Sequence, residues 1–474
     1  MSILFECEET ENKMTTQNTK RLTLFGLTWP IFIELSLQML MGNADTLMLS
    51  QYSDHSVAAV GAANRLIYIV ILFYGVIATG VSVLVARHLG AGEHLQASES
   101  AAIAVSVNLL IGLGFSVMML VCGQDLLHVM GLPGELYNEA MPYVIWVGGF
   151  SFVTAVSLVL SAVLRSHGHT RDIMFVTFGM NLLDLIGNYL FIFGPFGIPV
   201  LGVTGVAVTT TISKTLGLIV LLFLIRRHVR HPLPFSRLFR LPRVHLRNLL
   251  QIGIPSAAEL MSYHTSQLAV TIIASTLGTA VLTAKVYTEN LMMIIYLFSM
   301  AIGQGTQILA GHLAGAGLLQ DIYKRCLRSV GISFGVSAIT AVLIFVYSWP
   351  LFSLFTDNTG IIRTGRTLLF ITIFLEPGRS LNLVILGALR ALGDIKFAVY
   401  LGIVSMWGIG VGLAYFLAIP LGLGLAGVWI AFAIDEWLRG IVLLQRWNRR
   451  VWQQRSKRKN SASGSAIFTS GSKG

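Results

Sequence analysis

Long apolar stretches alternate with short polar segments along the whole chain. Twelve can be read, at approximately 22–49, 58–85, 96–121, 142–164, 173–193, 202–225, 249–275, 281–310, 325–347, 363–387, 397–419 and 424–446. A helix needs about 20 mostly apolar residues to cross about 30 Å of hydrocarbon, so each stretch predicts one span. Those that exceed this length leave room for tilt or for helix beyond the bilayer. The polar segment 1–21 runs into the first stretch without a small-residue cleavage site, which predicts a retained span rather than a removed leader. The expected fold class is an all-α integral membrane protein with twelve transmembrane helices.

Charge placement supports that count. With the N-terminus inside, 26 of the 33 lysines and arginines fall in inward segments, and the six outward loops hold none, although Arg363 and Arg366 sit just past one. This is the bias expected of cytoplasmic loops, and it predicts both termini inside. The expected organisation is a cytoplasmic tail at 1–21, an N-lobe at 22–225, a basic cytoplasmic linker at 226–248, a C-lobe at 249–446, and a tail at 447–474 that is first basic and then low in complexity. The linker carries seven arginines with Pro232, Pro234 and Pro242 and no acid through 247. Each basic residue beside an anionic membrane surface contributes about 1 kcal/mol, so membrane lipids are the expected neighbours and nucleic acid is not.

Composition narrows the function class. Of 474 residues, 54% are hydrophobic and 12% charged, the latter about half the usual globular share of ~25%. These values exclude a disordered chain, a disulfide scaffold and an ordinary water-soluble enzyme. Cys7, Cys122 and Cys326 lie far apart with no metal-ligand spacing, and the eleven histidines, mainly at loop ends, show no metal constellation and are each expected to be satisfied or exposed. Gly-Ala-Gly at 90–92 lacks the context of a phosphate loop, and no nucleophile stands at motif spacing from a base. The expectation is a protein that is not an enzyme and carries no cofactor.

The two halves match at a constant offset of 225: Pro30 with Pro255, Glu34 with Glu259, Gly80 with Gly305, Gly90 and Gly92 with Gly315 and Gly317, Arg165 and Gly168 with Arg390 and Gly393. After a three-residue gap, Leu201-Gly202-x-x-Gly205-Val206 matches Leu423-Gly424-x-x-Gly427-Val428. Each half holds six spans, an even number, so the repeats are parallel. The expected architecture is two parallel-repeat six-helix bundles around a central cavity, a common plan for carriers that rock between two access states.

An ionisable side chain in the hydrocarbon costs about 2.5–3.5 kcal/mol on insertion scales and marks a candidate site. On the first span Glu34, Gln38 and Asp45 share one face, since eleven residues make three turns plus about 20°. On the fifth, Asn181, Asp184 and Asn188 form a second polar stripe. Neither Asp45 nor Asp184 has a basic residue one turn away. A buried carboxylate without a counter-ion is costly to keep ionised, and a proton or a bound small cation relieves that cost. Asp45, Asp184, Asn188, Asn181 and Glu34 are therefore the candidate coupling residues, with Asp45, Asp184 and Asn188 as the candidate Na+ ligands. Glu259, Tyr263 and Gln267 repeat the stripe on the seventh span and, with Gln38 and Glu289, are candidates for the substrate cavity. Lys285 with Glu289, Asp435 with Arg439, and Glu376 with Arg379 stand at i,i+4 or i,i+3 and are expected to pair within their helices. Arg165 and Arg390, on short inner loops, are expected to anchor headgroups.

The chain resembles the multidrug and toxic compound extrusion (MATE) transporters over roughly 22–450. The resemblance is carried by Asn43-Ala-Asp45-Thr-Leu-Met, Ala58-Ala-Val-Gly61, His88-Leu-Gly-Ala-Gly92, Arg165-Ser-His-Gly-His-Thr-Arg171 and Asn188-Tyr-Leu-Phe-Ile-Phe-Gly194 within the duplicated unit. It implies twelve helices in two lobes, a V-shaped cavity, and export of amphipathic, often cationic compounds against protons or sodium. Asp45 sits where the DNA-damage-inducible-F-type branch has its first-helix coupling aspartate. The fifth-helix pair of that branch is exchanged here, with Asp184 at the asparagine position and Asn188 at the aspartate position. The seventh-helix glutamate of the norfloxacin-extruding branch falls on Tyr263, with Glu259 one turn earlier.

The expected function is a secondary antiporter of a bacterial cytoplasmic (inner) membrane, acting as a monomer on small amphipathic organic substrates in exchange for H+ or Na+. Export of an anionic metabolite such as a flavin would need cavity cations, for which Arg65, Lys214, Lys285 and Arg379 are the candidates. A lipid-linked-oligosaccharide flippase would need a strongly basic cavity. A membrane scaffold or a lipid-modifying enzyme would show no gradient-dependent flux.

Overall fold

The computed structural model describes residues 22–229 and 243–453. The expected tail at 1–21, most of the linker and all but the start of the C-terminal tail lie outside the described residues. Within them the chain is helical, with no strand. The spans are α1 (Leu24–Ser50), α2 (Asp54–Gly90), α3 (His94–Val129), α4 (Gly134–Gly148 and Ser151–Ser166), α5 (Thr170–Phe193), α6 (Gly202–His228), α7 (Arg243–Thr276), α8 (Thr279–Gly315), α9 (Leu319–Val346), α10 (Thr359–Ala391), α11 (Ile395–Ala418) and α12 (Gly424–Asn448). A short helix, Ser348–Ser353, precedes α10.

Among the described residues nine helices are long and apolar enough by themselves to cross a membrane, and the bent α4 makes ten. The other two are α7 and α12, whose interiors carry Glu259, Tyr263, His264 and Gln267 in one case and Asp435, Glu436 and Arg439 in the other. Polar cargo lowers their apolarity, although their lengths suit a span. Large apolar side chains such as Phe175, Phe178, Ile219, Phe223, Ile339 and Tyr400 are exposed along the helices, as expected where lipid is the solvent.

The fourth span departs from a single helix over 142–164. Its two parts are bent by 44°, with a π-helical turn at Val144–Gly148, and Pro142 and Gly148-Gly149 account for the break by removing a donor and side-chain support. A second π-helical stretch, Met406–Leu413, lies inside α11, where Gly408, Gly410 and Gly412 alternate.

The described chain forms two compact units. One comprises Trp29–Leu89 and Glu93–Ala257; the other comprises the residues up to Thr28, Gly90–Gly92 and those from Ala258 onward. The division falls inside α1 and α7. In the N-terminal unit, small and β-branched residues of α2, α3 and α4 pack together, among them Val81, Val85, Ala101, Ala104, Val159 and Val163. A Cβ on Gly80 would lie 2.7 Å from the Leu249 carbonyl oxygen at the start of α7, which is why that position stays without a side chain. In the C-terminal unit, Ala284, Ile295, Leu368, Leu375, Val428 and Trp429 form the core.

The repeat has a backbone counterpart. Gly92 and Gly317 have φ of +80° and +72°, and Gly168 and Gly393 have +87° and +73°. These matched glycines terminate helices in a conformation that L side chains rarely adopt.

Candidate functional site

In the N-terminal unit, α1, α5 and α6 place five polar side chains together. Asn188 Nδ2 donates to Asp45 Oδ1 at 2.8 Å, and Thr210 Oγ1 donates to Asp184 Oδ1 at 3.1 Å. Lys214, one turn beyond Thr210 on α6, interacts electrostatically with both carboxylates. Neither aspartate has a direct ion pair among the described residues. Asp184 and Asn188 are buried and Asp45 is half-buried. Asn188 Oδ1 is buried with no hydrogen-bond partner. The buried Tyr143, hydrogen-bonded to Asn64, lies within electrostatic range of both aspartates. Asn181 Nδ2 bonds the Leu37 carbonyl at 2.8 Å, fastening α5 to α1 about two turns away.

The pocket thus differs in one respect from the sequence expectation: a cation faces the two carboxylates, from another helix. Lys214 stands 30 residues beyond Asp184, and no spacing rule on one helix links them. Thr210 and Tyr143 were equally invisible to a reading of α1 and α5 by periodicity.

Glu34 shares the α1 face with Asp45 but belongs to a different cluster. It is buried, and its Oε1 accepts from Arg165 Nη2 at 2.5 Å. The eleven-residue step between them separates it from Asp45 by about 16 Å along the helix. In the C-terminal unit Arg390 Nη2 donates to Glu259 Oε2 at 2.6 Å. The two pairs have the same sequence separation, 131, so the duplication carries an ion pair as well as a fold. These arginines clamp a glutamate, in place of the headgroup role that their loop position suggests. A carboxylate with a guanidinium this close has its charge met, so Glu34 and Glu259 act as fasteners between helices. Gln38 is exposed.

The interior of the C-terminal unit is a denser ionic network. Arg379 Nη1 reaches Glu376 Oε1 at 2.6 Å, and its Nε reaches Glu436 Oε1 at 3.3 Å. Arg439 Nη2 reaches Asp435 Oδ2 at 2.6 Å and Glu436 Oε1 at 3.1 Å. Asn382 Nδ2 donates to Glu436 Oε2 at 2.9 Å, and Ser405 Oγ to Asp435 Oδ1. Lys285 Nζ pairs with Glu289 Oε1 at 2.7 Å. The three intrahelical pairs form as their spacing predicts, and Glu436 joins two of them across helices. Tyr263 lies within electrostatic range of Arg379 and Glu376, while Gln267 Oε1 is buried without a partner.

At the other end of α5, outside the membrane span, His169 and Asp172 meet His228 from the end of α6. Burial and the neighbouring His228 push His169 below the usual histidine range, against the opposing effect of Asp172.

The MatE family model matches residues 30–190 and 255–416, one block in each half. The chain is also 48% identical over 436 residues to the "Uncharacterized transporter YisQ" of Bacillus subtilis, covering 92% of this chain and 96% of that protein. The chain belongs to the MATE family. As a MATE protein it is a transporter and not an enzyme, and a multi-pass membrane protein. The "Probable multidrug resistance protein NorM" of Thermotoga maritima is 26% identical over 439 residues, with 92% of this MATE chain and 94% of that relative covered. Among solved structures, a crystal structure of MATE in the bent conformation superposes with a TM-score of 0.84 at 22% identity, covering 94% and 99% of the two chains. An outward-facing multidrug resistance MATE transporter gives 0.83 at 21% identity over 92% and 96%. The twelve-helix, two-repeat fold of this MATE chain is the fold of those neighbours.

Proposed function

We propose that this protein exports small amphipathic organic compounds, often cationic ones, in exchange for H+ or Na+, and that the α1–α5–α6 pocket is where the coupling ion binds. The observation that carries the reading is the charge balance of that pocket. Two carboxylates, Asp45 and Asp184, face one ammonium, Lys214, so one negative charge is left over when all three are ionised. One proton or one monovalent cation cancels it. For Na+, the donor set is hard oxygen: the two carboxylates and the carbonyl oxygen of Asn188, which is buried without another partner. For H+, either aspartate holds the proton, with Asn188 and Thr210 bonded to them.

A coupling ion drives transport only if it binds the two access states unequally. The pocket spans three helices of one bundle, so a shift of α1 or α6 against α5 changes the distance of Lys214 from the carboxylates and hence the affinity for the ion. Uptake on the outer side then favours the state that releases substrate outward. A monomer in a bacterial inner membrane with both termini cytoplasmic suits the loop charges, the bacterial relatives and the repeat.

Export of an anionic metabolite, such as a flavin, is the less favoured alternative, because three of the four candidate cations are engaged and the fourth, Arg65, is exposed. Lys214 faces two aspartates, Lys285 is bound to Glu289, and Arg379 to Glu376 and Glu436. The same accounting disfavours a lipid-linked-oligosaccharide flippase.

The test is dye efflux from proteoliposomes under a sodium gradient and, separately, a pH gradient. Asp45→Asn is expected to abolish gradient-driven efflux in a protein that still inserts and keeps its melting temperature. Wild-type-like efflux by this variant would overturn the coupling assignment, and absence of flux from the wild type under both gradients would overturn the antiporter reading.

A further inference from the structure

We propose that His169, Asp172 and His228 form a binding site for one divalent transition-metal ion of the zinc class, at the end of the N-terminal unit where α5 begins and α6 ends. His169 immediately precedes α5, Asp172 lies in its first turn, and His228 is the last residue of α6. One donor atom from each of the three falls within 4.8 Å of the other two. Asp172 Oδ2 is 3.4 Å from His169 Nδ1 and 3.7 Å from His228 Nδ1. His169 Nδ1 and Asp172 Oδ2 are thus at about the spacing at which a tetrahedral ion with bonds of about 2.0–2.1 Å holds two of its ligands, and a nitrogen of the His228 ring completes the group within 4.8 Å.

The two imidazoles are nearly stacked, with centroids 3.9 Å apart and planes at 32°. A neutral imidazole ring has one nitrogen lone pair to offer a metal. His228 Nδ1 lies 3.2 Å from the Leu224 carbonyl oxygen. An Nδ1–H donated there leaves Nε2 for a metal, the usual division between the two ring nitrogens of a histidine ligand. Two nitrogens and one carboxylate oxygen suit a borderline cation better than Mg2+ or Ca2+, which prefer oxygen alone.

A purely structural role accounts for less of this arrangement. Asp172 in the first turn of α5 is favoured by the helix dipole without any histidine. His169 can pair with it at i,i+3. Neither explains why His228 arrives from another helix to lie against His169. Among the described residues the ion-pair partners of Asp172 are these two histidines, while Arg171, Arg226 and Arg227 are exposed. All three ligand side chains are partly buried, at 36%, 33% and 23% exposure for His169, Asp172 and His228, so the site is open to solvent on one side. A bound ion would fasten the first turn of α5 to the last turn of α6, the helices that hold Asp184, Asn188, Thr210 and Lys214.

The test uses the full chain, purified with an affinity tag free of histidine and stripped with a chelator. Titration with Co2+ is expected to give one saturable equivalent with the visible spectrum of a four- or five-coordinate ion, displaced by Zn2+. Asp172→Asn and His228→Gln are each expected to weaken binding at least about tenfold, and His169→Gln/His228→Gln to abolish it. Cu2+ bound to the wild type should show splitting from two imidazole nitrogens in its electron paramagnetic resonance spectrum, a readout that needs no variant. Absence of saturable binding to the wild type, undiminished binding in the double variant, or a copper spectrum without nitrogen splitting would each overturn the site.

Discussion

The two six-helix repeats keep the same clamp and fill their interiors differently. Glu34 with Arg165 and Glu259 with Arg390 are the same pair at the same separation, one in each unit. Beyond it the matched positions diverge. Lys214 of α6 corresponds to Glu436 of α12, Ser151 to Glu376 and Thr154 to Arg379. In the C-terminal unit Glu376, Asp435 and Glu436 are all in direct ion pairs with Arg379 or Arg439. In the N-terminal unit Asp45 and Asp184 share a cation at longer range and, among the described residues, are hydrogen-bonded to Asn188 and Thr210. Duplication thus preserved what fastens helices together. The polar interior, which the clamp does not need, was left to specialise. A tightly ion-paired network has its charges met in every state, whereas an under-compensated pair of carboxylates responds to a proton or a cation.

This contrast can be broken by substitution. The largest difference is expected between Asp45→Asn, which removes gradient-driven efflux, and Asp435→Asn, which leaves Arg439 still paired with Glu436 and keeps efflux within a few-fold of wild type. Equal loss in both, measured in the same liposomes, would erase the distinction between the interiors. Next come the clamps. Arg165→Ala and Arg390→Ala each strand a buried glutamate and should cost about 3–5 kcal/mol of stability, read as a fall in melting temperature in detergent, while Glu34→Gln/Arg165→Gln should recover most of the first loss. A drop for one arginine alone would show that the repeat has not kept the clamp's role.

Smaller effects sharpen the picture of the pocket. Lys214→Gln leaves two carboxylates without a cation, so transport should depend more steeply on coupling-ion concentration, with a Hill coefficient above that of wild type. An unchanged slope would mean that Lys214 does not share in the charge balance. Thr210→Val removes one interhelical hydrogen bond to Asp184, worth about 0.6 kcal/mol and at most about 1.7 in a membrane protein. The half-saturating ion concentration should move by about two- to three-fold, and a larger shift would place Thr210 among the ligands.

Much of the architecture was legible without coordinates. Hydrocarbon thickness turns apolar length into spans, and duplication appears as identities at one offset. Lys285 with Glu289, Asp435 with Arg439, and Glu376 with Arg379 follow from helix geometry alone, because residues three and four apart are neighbours on any helix. The break of α4 was not read in the single stretch 142–164, although Pro142 and Gly148-Gly149 are the local residues that cause it. The stripes bearing Asp45 and Asp184 stood out as polar residues on one face of an apolar helix. The histidines did not, because His169 and His228 lie on different helices and only one of them is within a turn of Asp172.

Membership of spans, their order, their duplication and their intrahelical pairs are thus determined by the chain itself, through periodicity and the cost of polarity in lipid. Tertiary structure alone decided which distant polar groups meet: Arg165 with Glu34, Lys214 with the two aspartates, Glu436 with both C-terminal arginines, and His228 with His169. The physical reason is that a buried polar group must find a partner from whatever helix face packs opposite it. That face is chosen by close packing, such as that around Gly80 or Val159, over the whole bundle.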